Sequence, residues 1–189
     1  MNHSAEDLIL KVDSNLLQAD VEEMLDSGKD LKEILTDIVT WIEYNSENDI
    51  LTSILLYNSE TKQLFIGAAP TFPDYYNTAV NGFSAGPNAA SCGTAAFYRK
   101  QISVEDIATD PLWKDYKSYA LVEDLRSCWS TPIFGADDEL LGTFAVYYKE
   151  PRKPTENDLS LIDEISGITA SAIEARKEDF HKLVWLHVK

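Results

Sequence analysis

The 189-residue chain is long enough for one compact domain with terminal helices, and its 44% hydrophobic residues are typical of a folded protein. Sixteen basic residues against 32 acidic ones give a formal net charge of −16, which disfavours nucleic acid and membrane surfaces as partners. No apolar run reaches the roughly 20 residues of a membrane span, no secretion signal opens the chain, and two cysteines are too few for a disulfide framework, so we expect a cytoplasmic protein.

Two amphipathic helices are predicted at the start of the chain. Apolar residues recur at helical spacing across residues 5–26, and a second helical stripe begins at Leu31. Gly28 interrupts the pattern between them. Asp30 and Glu33 are spaced as a capping box, which predicts where the second helix begins.

A β-hairpin and a loop-rich segment are predicted next. Residues 50–57 and 62–69 are β-rich runs separated by turn-forming residues, which is the pattern of a hairpin. Glycines and prolines then interrupt the chain, with a short helix around residues 75–80. A second short helix over residues 91–99 and a strand over residues 101–104 follow.

A helix, a second hairpin and a long final helix complete the predicted order. The helix covers about residues 112–122, and the hairpin comprises residues 126–134 and 139–148. Pro132 predicts that the first of these strands lies at a sheet edge or contains a bulge. The last helix begins after the capping signal at Thr155 and is expected to exceed about 25 residues.

Four blocks of sequence in this order resemble the GAF domain family. They are residues 86–96 (GPNAASCGTAA), 104–113 (VEDIATDPLW), 128–133 (CWSTPI) and 141–148 (LGTFAVYY). The likeness spans about residues 31–175 and is nearest to the subgroup that accompanies bacterial sensor kinases and diguanylate cyclases. The resemblance is therefore specific, because four separate blocks occur in the expected order.

The resemblance implies an α/β (α+β) fold with one antiparallel sheet. The N- and C-terminal helices are expected on one face of the sheet, and a ligand pocket roofed by helices and loops on the other. Residues 1–29 are then an N-terminal amphipathic helix, residues 30–176 the GAF domain, and residues 177–189 an extension of the C-terminal helix. Family members bind cyclic nucleotides, bilins, haem, nitrate or other small molecules, so the ligand and any cofactor stay open.

The start of the helix after residue 88 is the first candidate ligand-binding segment. Free backbone N–H groups and the positive end of a helix dipole favour an anion or a polar group at such a position. We therefore single out Ser91, Cys92, Gly93 and Thr94. The alternative is that Ser91 caps the helix and Gly93 permits close packing.

The second hairpin supplies further candidates. If it pairs around Asp137 and Asp138, alternation along the strands suggests one mixed polar and aromatic face, formed by Ser127, Trp129, Thr131, Thr143, Ala145 and Tyr147. We assign this face to the pocket and take Trp129, Thr131 and Tyr147 as ligand-binding. The opposite face is expected to pack under the C-terminal helix. Ordinary core packing is the alternative for Trp129 and Tyr147.

Asp106 is a candidate because it precedes the segment that leads to Trp113. A carboxylate beside a cleft can accept hydrogen bonds from a ligand. The alternative is that Asp106 caps a turn of the backbone, as aspartate often does before a helix.

Cys92 and Cys128 are the only two cysteines of the chain. A helix start favours the thiolate of Cys92, and the resemblance puts Cys128 on a neighbouring strand, so the pair suggests a redox switch. Alternatively, both fill gaps as small apolar side chains. His3, His181 and His187 lie in terminal segments away from any nucleophile, and the acids are scattered, so we predict no catalytic residue and no metal site.

The leading hypothesis is a non-enzymatic sensor domain in signal transduction. Its expected partners are a small-molecule ligand, a second copy bound through the terminal helices, and a sensor kinase or another regulator. One alternative is a thiol-dependent free methionine sulfoxide reductase or a redox sensor that uses Cys92 and Cys128. A second alternative is a ligand-free dimerisation module.

Overall fold

The computed structural model describes residues 11–46 and 48–186. The helices are α1 (Ser14–Asp26), α2 (Leu31–Asn45), α3 (Asp74–Val80), α4 (Ala90–Tyr98), α5 (Lys117–Val122), α6 (Glu156–Ala175) and α7 (Lys177–Trp185). The strands are β1 (Ile50–Asn58), β2 (Gln63–Ala68), β3 (Phe83–Ser84), β4 (Ile102–Val104), β5 (Ser127–Phe134) and β6 (Leu140–Tyr148). None of the described helices combines the length and the apolar character needed to cross a membrane.

One antiparallel sheet of six strands organises the molecule, in the order β3-β2-β1-β6-β5-β4. Both predicted hairpins are present, as β1–β2 and β5–β6, and they join side by side where β1 pairs with β6. The two central strands are buried on both faces, which their nearly continuous runs of apolar residues allow. The predicted α/β (α+β) fold with one antiparallel sheet is confirmed.

The terminal helices cover one face of the sheet. Side chains from α1, α2, α6 and α7 pack against alternate residues of β1 and β6, including Ile54, Phe144 and Val146, in one apolar core. Capping boxes at Asp30 and Thr155 begin α2 and α6, as predicted. The opposite face carries a second apolar cluster beneath α3, α4 and α5. The predicted division of the sheet into two unlike faces is therefore correct.

The ends of the chain depart from the predicted helices. α1 begins at Ser14, where Asp13 accepts hydrogen bonds as its cap, and the predicted helical residues 5–10 lie outside the described residues. The predicted long final helix is divided at Arg176, whose backbone (φ −122°, ψ 41°) leaves the helical region. The Arg176 guanidinium instead donates to the carbonyls of Leu25 and Lys29, at 2.7 and 2.9 Å. This contact ties the break to the end of α1.

Two predictions in the middle of the chain need adjustment. The helix expected over residues 112–122 is a 3₁₀ turn over Pro111–Trp113 followed by α5. The strand β5 lies inside the sheet, but its pairing with β4 ends at Ser130, so none of the described strands pairs with Pro132 on that side. Pro132 thus occupies a local edge, where a residue without an N–H is tolerated.

The predicted assignment of the β5–β6 faces is wrong. The two strands pair about Asp137 and Asp138 as expected, but this pairing sets odd-numbered residues opposite even-numbered ones: Cys128 faces Tyr147, and Trp129 faces Val146. Directly opposed residues of antiparallel strands point to the same side of the sheet. Tyr147 therefore shares its face with Cys128, while Trp129 lies on the face covered by the terminal helices.

Candidate functional site

A small cavity lies on the face of the sheet that the terminal helices leave free. It is enclosed by β1, β2 and β6 below and by α3, α4 and the segments around them above. Its empty volume, including the part that is open to solvent, is about 480 Å³, and the centre of a water molecule can reach about 30 Å³ of the cavity. The lining residues are Ser53, Leu55, Ile66, Ala69, Phe72, Tyr76, Asn77, Val80, Phe83, Ala90, Cys92, Trp113, Tyr116 and Tyr147.

Hydrogen bonds from the Asn77 side chain to backbone carbonyls hold the roof of the cavity in place. Its side-chain amide donates to the carbonyls of Ala69 and Phe72, at 3.0 and 3.3 Å, and so closes the loop that leads into α3. The Asn77 Oδ1 atom is buried and has no hydrogen-bond partner among the described residues. A buried acceptor without a partner is costly, so this oxygen is suited to a ligand or a water molecule.

Gly93 allows α4 to lie close to the neighbouring chain. A Cβ atom at this position would come within 2.6 Å of Ala89 Cβ and 2.7 Å of Phe83 Cε2, closer than any real side chain tolerates. Gly93 therefore permits close packing of α4, which is the alternative that the sequence suggested for this residue. Its neighbour Cys92 lines the cavity.

Three aromatic rings form one wall. The rings of Phe72 and Tyr76 stack with centroids 4.8 Å apart, and Phe72 meets Tyr147 edge to face at 5.1 Å. Such pairs add to the stability gained by burying the rings and hold them in a fixed orientation. The wall is therefore a rigid aromatic surface contributed by α3, the loop before it, and β6.

The polar groups of the cavity meet at the Tyr147 hydroxyl. It lies 3.4 Å from Ser53 Oγ and 3.8 Å from Cys92 Sγ. Burial is the main cause that raises the pKa of Tyr147 well above its ordinary value. The phenol therefore stays neutral and offers one proton and one acceptor to its neighbours.

The Cys92 and Cys128 thiols are both buried and interact with each other. A hydrogen bond from Cys128 is the main cause that lowers the pKa of Cys92 to about 7. Burial is the main cause that raises the pKa of Cys128 well above its ordinary value. When the pair loses one proton, the negative charge therefore resides on Cys92.

Ser91 and Thr94 serve the structure of α4 and do not line the cavity. The Ser91 hydroxyl donates to the Cys128 carbonyl at 3.2 Å and accepts from the Trp113 indole N–H at 3.0 Å. Thr94 Oγ1 accepts from the Ala89 N–H at 3.1 Å. Ser91 thus joins α4 to β5 instead of capping the helix.

Asp106 lies in a turn away from the cavity. Both of its carboxylate oxygens accept hydrogen bonds from the Arg126 guanidinium at about 3.0 Å, and Oδ1 also accepts from the Ala108 N–H. Its alternative interpretation, a carboxylate that caps a turn, matches this geometry.

Trp129 and Thr131 lie on the side of the sheet opposite the cavity. The Trp129 indole N–H donates to the Arg152 carbonyl at 3.1 Å, and its ring packs against Tyr148. Thr131 Oγ1 accepts from the Gln101 side chain at 3.0 Å. Their prediction as pocket residues is wrong because the cross-strand pairing turns them toward the terminal helices.

Cys92 and Tyr147 are thus the two predicted site residues that line the cavity. The residues that the sequence did not single out come mainly from the first hairpin, α3 and the loop between them, among them Ser53, Phe72 and Tyr76. A signal for the last two exists in the sequence, since residues 72–76 (FPDYY) place three aromatic side chains beside a proline in a loop-rich segment.

Comparisons with known proteins agree with this fold. A family profile described as GAF domain matches residues 28–174. A curated relative, the methyl sulfide methyltransferase-associated sensor of Methanosarcina acetivorans, is 36% identical over 170 residues. That match covers 90% of this chain but 16% of the relative, so the chain spans about a sixth of the relative's length.

Solved structures with the same fold have varied descriptions. A GAF sensor protein from Burkholderia vietnamiensis matches with a TM-score of 0.70 and 16% identity, over 87% of this chain and 96% of its own. A free methionine-R-sulfoxide reductase from Neisseria meningitidis, solved with its substrate, matches with a TM-score of 0.68 and 15% identity, over 92% and 99%. A phycocyanobilin-bound GAF domain from a cyanobacterial phytochrome matches with a TM-score of 0.65 and 17% identity, over 90% and 99%. At these identities the likeness shows the fold alone.

Proposed function

The chain belongs to the GAF domain family, and on this premise we propose that it is a non-enzymatic sensor domain whose cavity binds a small, uncharged molecule. One observation carries the proposal: none of the described residues that line the cavity is Asp, Glu, Lys, Arg or His. A ligand charge buried there would lose its hydration without gaining an oppositely charged partner, at a cost of several kcal/mol.

The same argument separates this chain from the enzyme alternative. Free methionine sulfoxide carries an ammonium and a carboxylate group, and both need partners when they are buried. The described lining offers no Asp, Glu, Lys, Arg or His side chain for them. Nitrate and cyclic nucleotides are disfavoured for the same reason.

The size of the cavity supports a ligand of few atoms. The centre of a water molecule can reach about 30 Å³ of the cavity, and the aromatic wall leaves little room for a larger guest without movement of the roof. The curated relative is named for its association with a methyl sulfide methyltransferase. Small methylated sulfur compounds are therefore the first ligands to test.

Ligand binding is best measured as a gain in stability, because a ligand at 100 times its Kd adds about 2.7 kcal/mol to the free energy of unfolding. We expect dimethyl sulfide or dimethyl sulfoxide to raise Tm, and nitrate, cyclic nucleotides and methionine sulfoxide to leave it unchanged. Ala69→Leu, which fills the cavity, should abolish the gain. Stabilisation by the charged compounds, or no stabilisation by any uncharged compound in the panel, would contradict the proposal.

The matched control is Val122→Leu, which enlarges an apolar side chain that is 70% exposed on α5. It should bind as the unchanged protein does. Equal binding by Ala69→Leu and Val122→Leu would show that the ligand occupies another part of the molecule.

We also propose that two copies associate through the terminal helices and pass the signal to a sensor kinase or another regulator. The proposal is supported by apolar side chains on the outer surface of α1 and α2, where Leu16 is 59% and Tyr44 87% exposed. Sedimentation velocity should detect a dimer that Leu16→Lys dissociates and Val122→Lys does not. A monomeric unchanged protein at micromolar concentration would refute this association.

A further inference from the structure

We propose that Cys92 and Cys128 form a peroxide-responsive dithiol, in which a hydroperoxide that enters the cavity oxidises Cys92 and Cys128 then closes a disulfide with it. The inference goes beyond ligand sensing and does not depend on which compound the cavity binds. It concerns a modification site made by two different elements, α4 and β5.

The fold brings the two thiols together from distant parts of the sequence. Cys92 lies in the first turn of α4 and lines the cavity, while Cys128 lies on β5. The hydrogen bond from the Ser91 hydroxyl to the Cys128 carbonyl, at 3.2 Å, fixes the helix against the strand beside this pair. Tyr147 of β6 lies beside both residues: its hydroxyl is 3.8 Å from the Cys92 sulfur, and it is the direct cross-strand partner of Cys128.

Their surroundings assign different roles to the two sulfur atoms. Cys92 is in contact with the cavity and with the Tyr147 hydroxyl, 3.8 Å from its sulfur. Cys128 is fully buried and does not line the cavity. A small oxidant therefore reaches Cys92 first, and the lowered pKa of Cys92 supplies the thiolate that attacks a peroxide.

The reaction balances without any further reagent. The Cys92 thiolate attacks one oxygen of the hydroperoxide, the O–O bond breaks, and the departing alkoxide takes up a proton to become an alcohol. Cys92 is then a sulfenic acid. The Cys128 sulfur attacks the Cys92 sulfur, the S–O bond breaks, and the hydroxide leaves as water with the proton of Cys128. One hydroperoxide and two thiols thus give one disulfide, one alcohol and one water.

A disulfide at this place would change the wall of the cavity. It would consume the thiol that contacts Tyr147 and link α4 covalently to β5. Because Tyr147 also contacts Ser53 of β1, oxidation acts on the part of the cavity where three elements meet.

The test uses the full chain, in which two cysteines allow the thiols to be counted without interference. After treatment of the folded protein with hydrogen peroxide, which is small enough for the cavity and yields water in place of the alcohol, a thiol assay in denaturant should fall from two thiols per chain to none. The product should be a monomeric chain that is lighter by two hydrogen atoms, and dithiothreitol should reverse the change. Two thiols remaining, or a disulfide between chains, would overturn the proposal.

Single substitutions separate the two roles. Cys128→Ser should stop at a sulfenic acid on Cys92 that dimedone traps, and Cys92→Ser should leave Cys128 at least about tenfold less reactive, because it is buried behind the cavity. Equal reactivity of the two single variants would refute the assignment. Thermal unfolding of each variant checks that it is folded.

Access through the cavity has its own test. Ala69→Leu should slow the oxidation of Cys92, whereas Val122→Leu should not. If Ala69→Leu leaves the oxidation rate unchanged but removes ligand binding, the proposed access of peroxide fails while the sensor proposal survives. If no uncharged ligand binds but the disulfide still forms, the sensor proposal fails while the dithiol proposal survives.

Discussion

Gly142 shows how tightly the two central strands are packed. A Cβ atom at this position of β6 would overlap the carbonyl oxygen of Leu55 on β1 and approach the Leu56 backbone at 3.3 Å. Backbone atoms in the centre of a sheet cannot move away as a flexible side chain would. We therefore expect Gly142→Ala to lower the free energy of unfolding by about 3 kcal/mol, at the upper end of typical overpacking costs.

The measurement is urea unfolding followed by circular dichroism, with Gly167→Ala as the matched control. Gly167 lies on the exposed side of α6, and a Cβ there would meet no atom of the described residues within 4 Å. Alanine is the better helix former, so this variant should gain about 0.5–1 kcal/mol. A loss of similar size in both variants would mean that Gly142 is not specially constrained.

At the level of single residues, the sequence predicted part of the cavity and not the rest. Cys92 was found from its place at the predicted start of a helix, whereas Tyr147 was chosen with a face of the hairpin that the structure does not have. Trp129 was assigned to the wrong face because the register of the two paired strands determines which residues share a face. An error of one residue in that register moves every side chain of the strand to the opposite face. Phe72 and Tyr76 could not be placed, since their contact with Tyr147 depends on how a loop folds over the sheet.

Arg176 is an element-scale feature, because one side chain joins the end of α1 to the boundary between α6 and α7. Its guanidinium donates to the carbonyl of Leu25, in the last turn of α1, and to the carbonyl of Lys29, in the loop that follows. Arg176→Met keeps much of the apolar stem and removes these donors. We expect it to lower the free energy of unfolding by about 1–3 kcal/mol, since hydrogen bonds from a charged group are the stronger kind.

Urea unfolding of Arg176→Met and Lys177→Met provides the comparison. Lys177 pairs with Glu139 at the surface, where solvent screens the charges, so Lys177→Met should have little effect. If the two variants lose the same stability, Arg176 contributes no more than a surface charge does. Amide hydrogen exchange should also quicken at the end of α1 in Arg176→Met alone.

Local signals predicted where most elements begin and failed where a distant contact decides. The capping boxes at Asp30 and Thr155 require neighbours within three residues, so the sequence itself contains the whole interaction. The break at Arg176 depends on carbonyls about 150 residues away, and the apolar spacing continues through it. Helix periodicity alone therefore predicted one helix where the structure has two.

At the scale of the whole molecule, β1 connects the cavity to the helix layer through adjacent residues. Ser53 faces the cavity and lies 3.4 Å from the Tyr147 hydroxyl. Thr52, on the other face, donates hydrogen bonds from its N–H and its hydroxyl to the Glu43 carboxylate of α2, at 2.6 and 3.1 Å. A change in the cavity that displaces β1 must therefore also act on α2, which is how a sensor of this design can transmit occupancy.

The buried phenols and thiols predict how the stability of the whole molecule depends on pH. Burial raises the pKa of Tyr147, Tyr76 and Cys128, whereas hydrogen bonding lowers the pKa of Cys92 to about 7. A group whose pKa is lowered by folding stabilises the folded state at pH values above that pKa. The contribution of Cys92 should therefore grow between about pH 7 and its ordinary pKa of about 8.5 and stay constant beyond it. A raised pKa has the opposite effect on stability. The stability that it contributes is fully present below the pKa of the group in the unfolded chain and is lost as the pH rises further.

We therefore expect the free energy of unfolding to rise slightly above pH 7 and to fall beyond about pH 8.5, where the Cys128 thiol ionises in the unfolded chain but not in the folded one. The fall should steepen beyond the ordinary tyrosine pKa of about 10, by about 1.4 kcal/mol per pH unit for each buried phenol. Urea midpoints between about pH 7 and 11 measure the slope. Tyr147→Phe should remove one phenol's share of the alkaline loss. Tyr98→Phe should leave the slope unchanged, because the Tyr98 side chain is half exposed on α4 and water solvates it in both states. An alkaline slope that is the same in the unchanged protein and in Tyr147→Phe would contradict the assignment of a neutral phenol to the centre of the cavity.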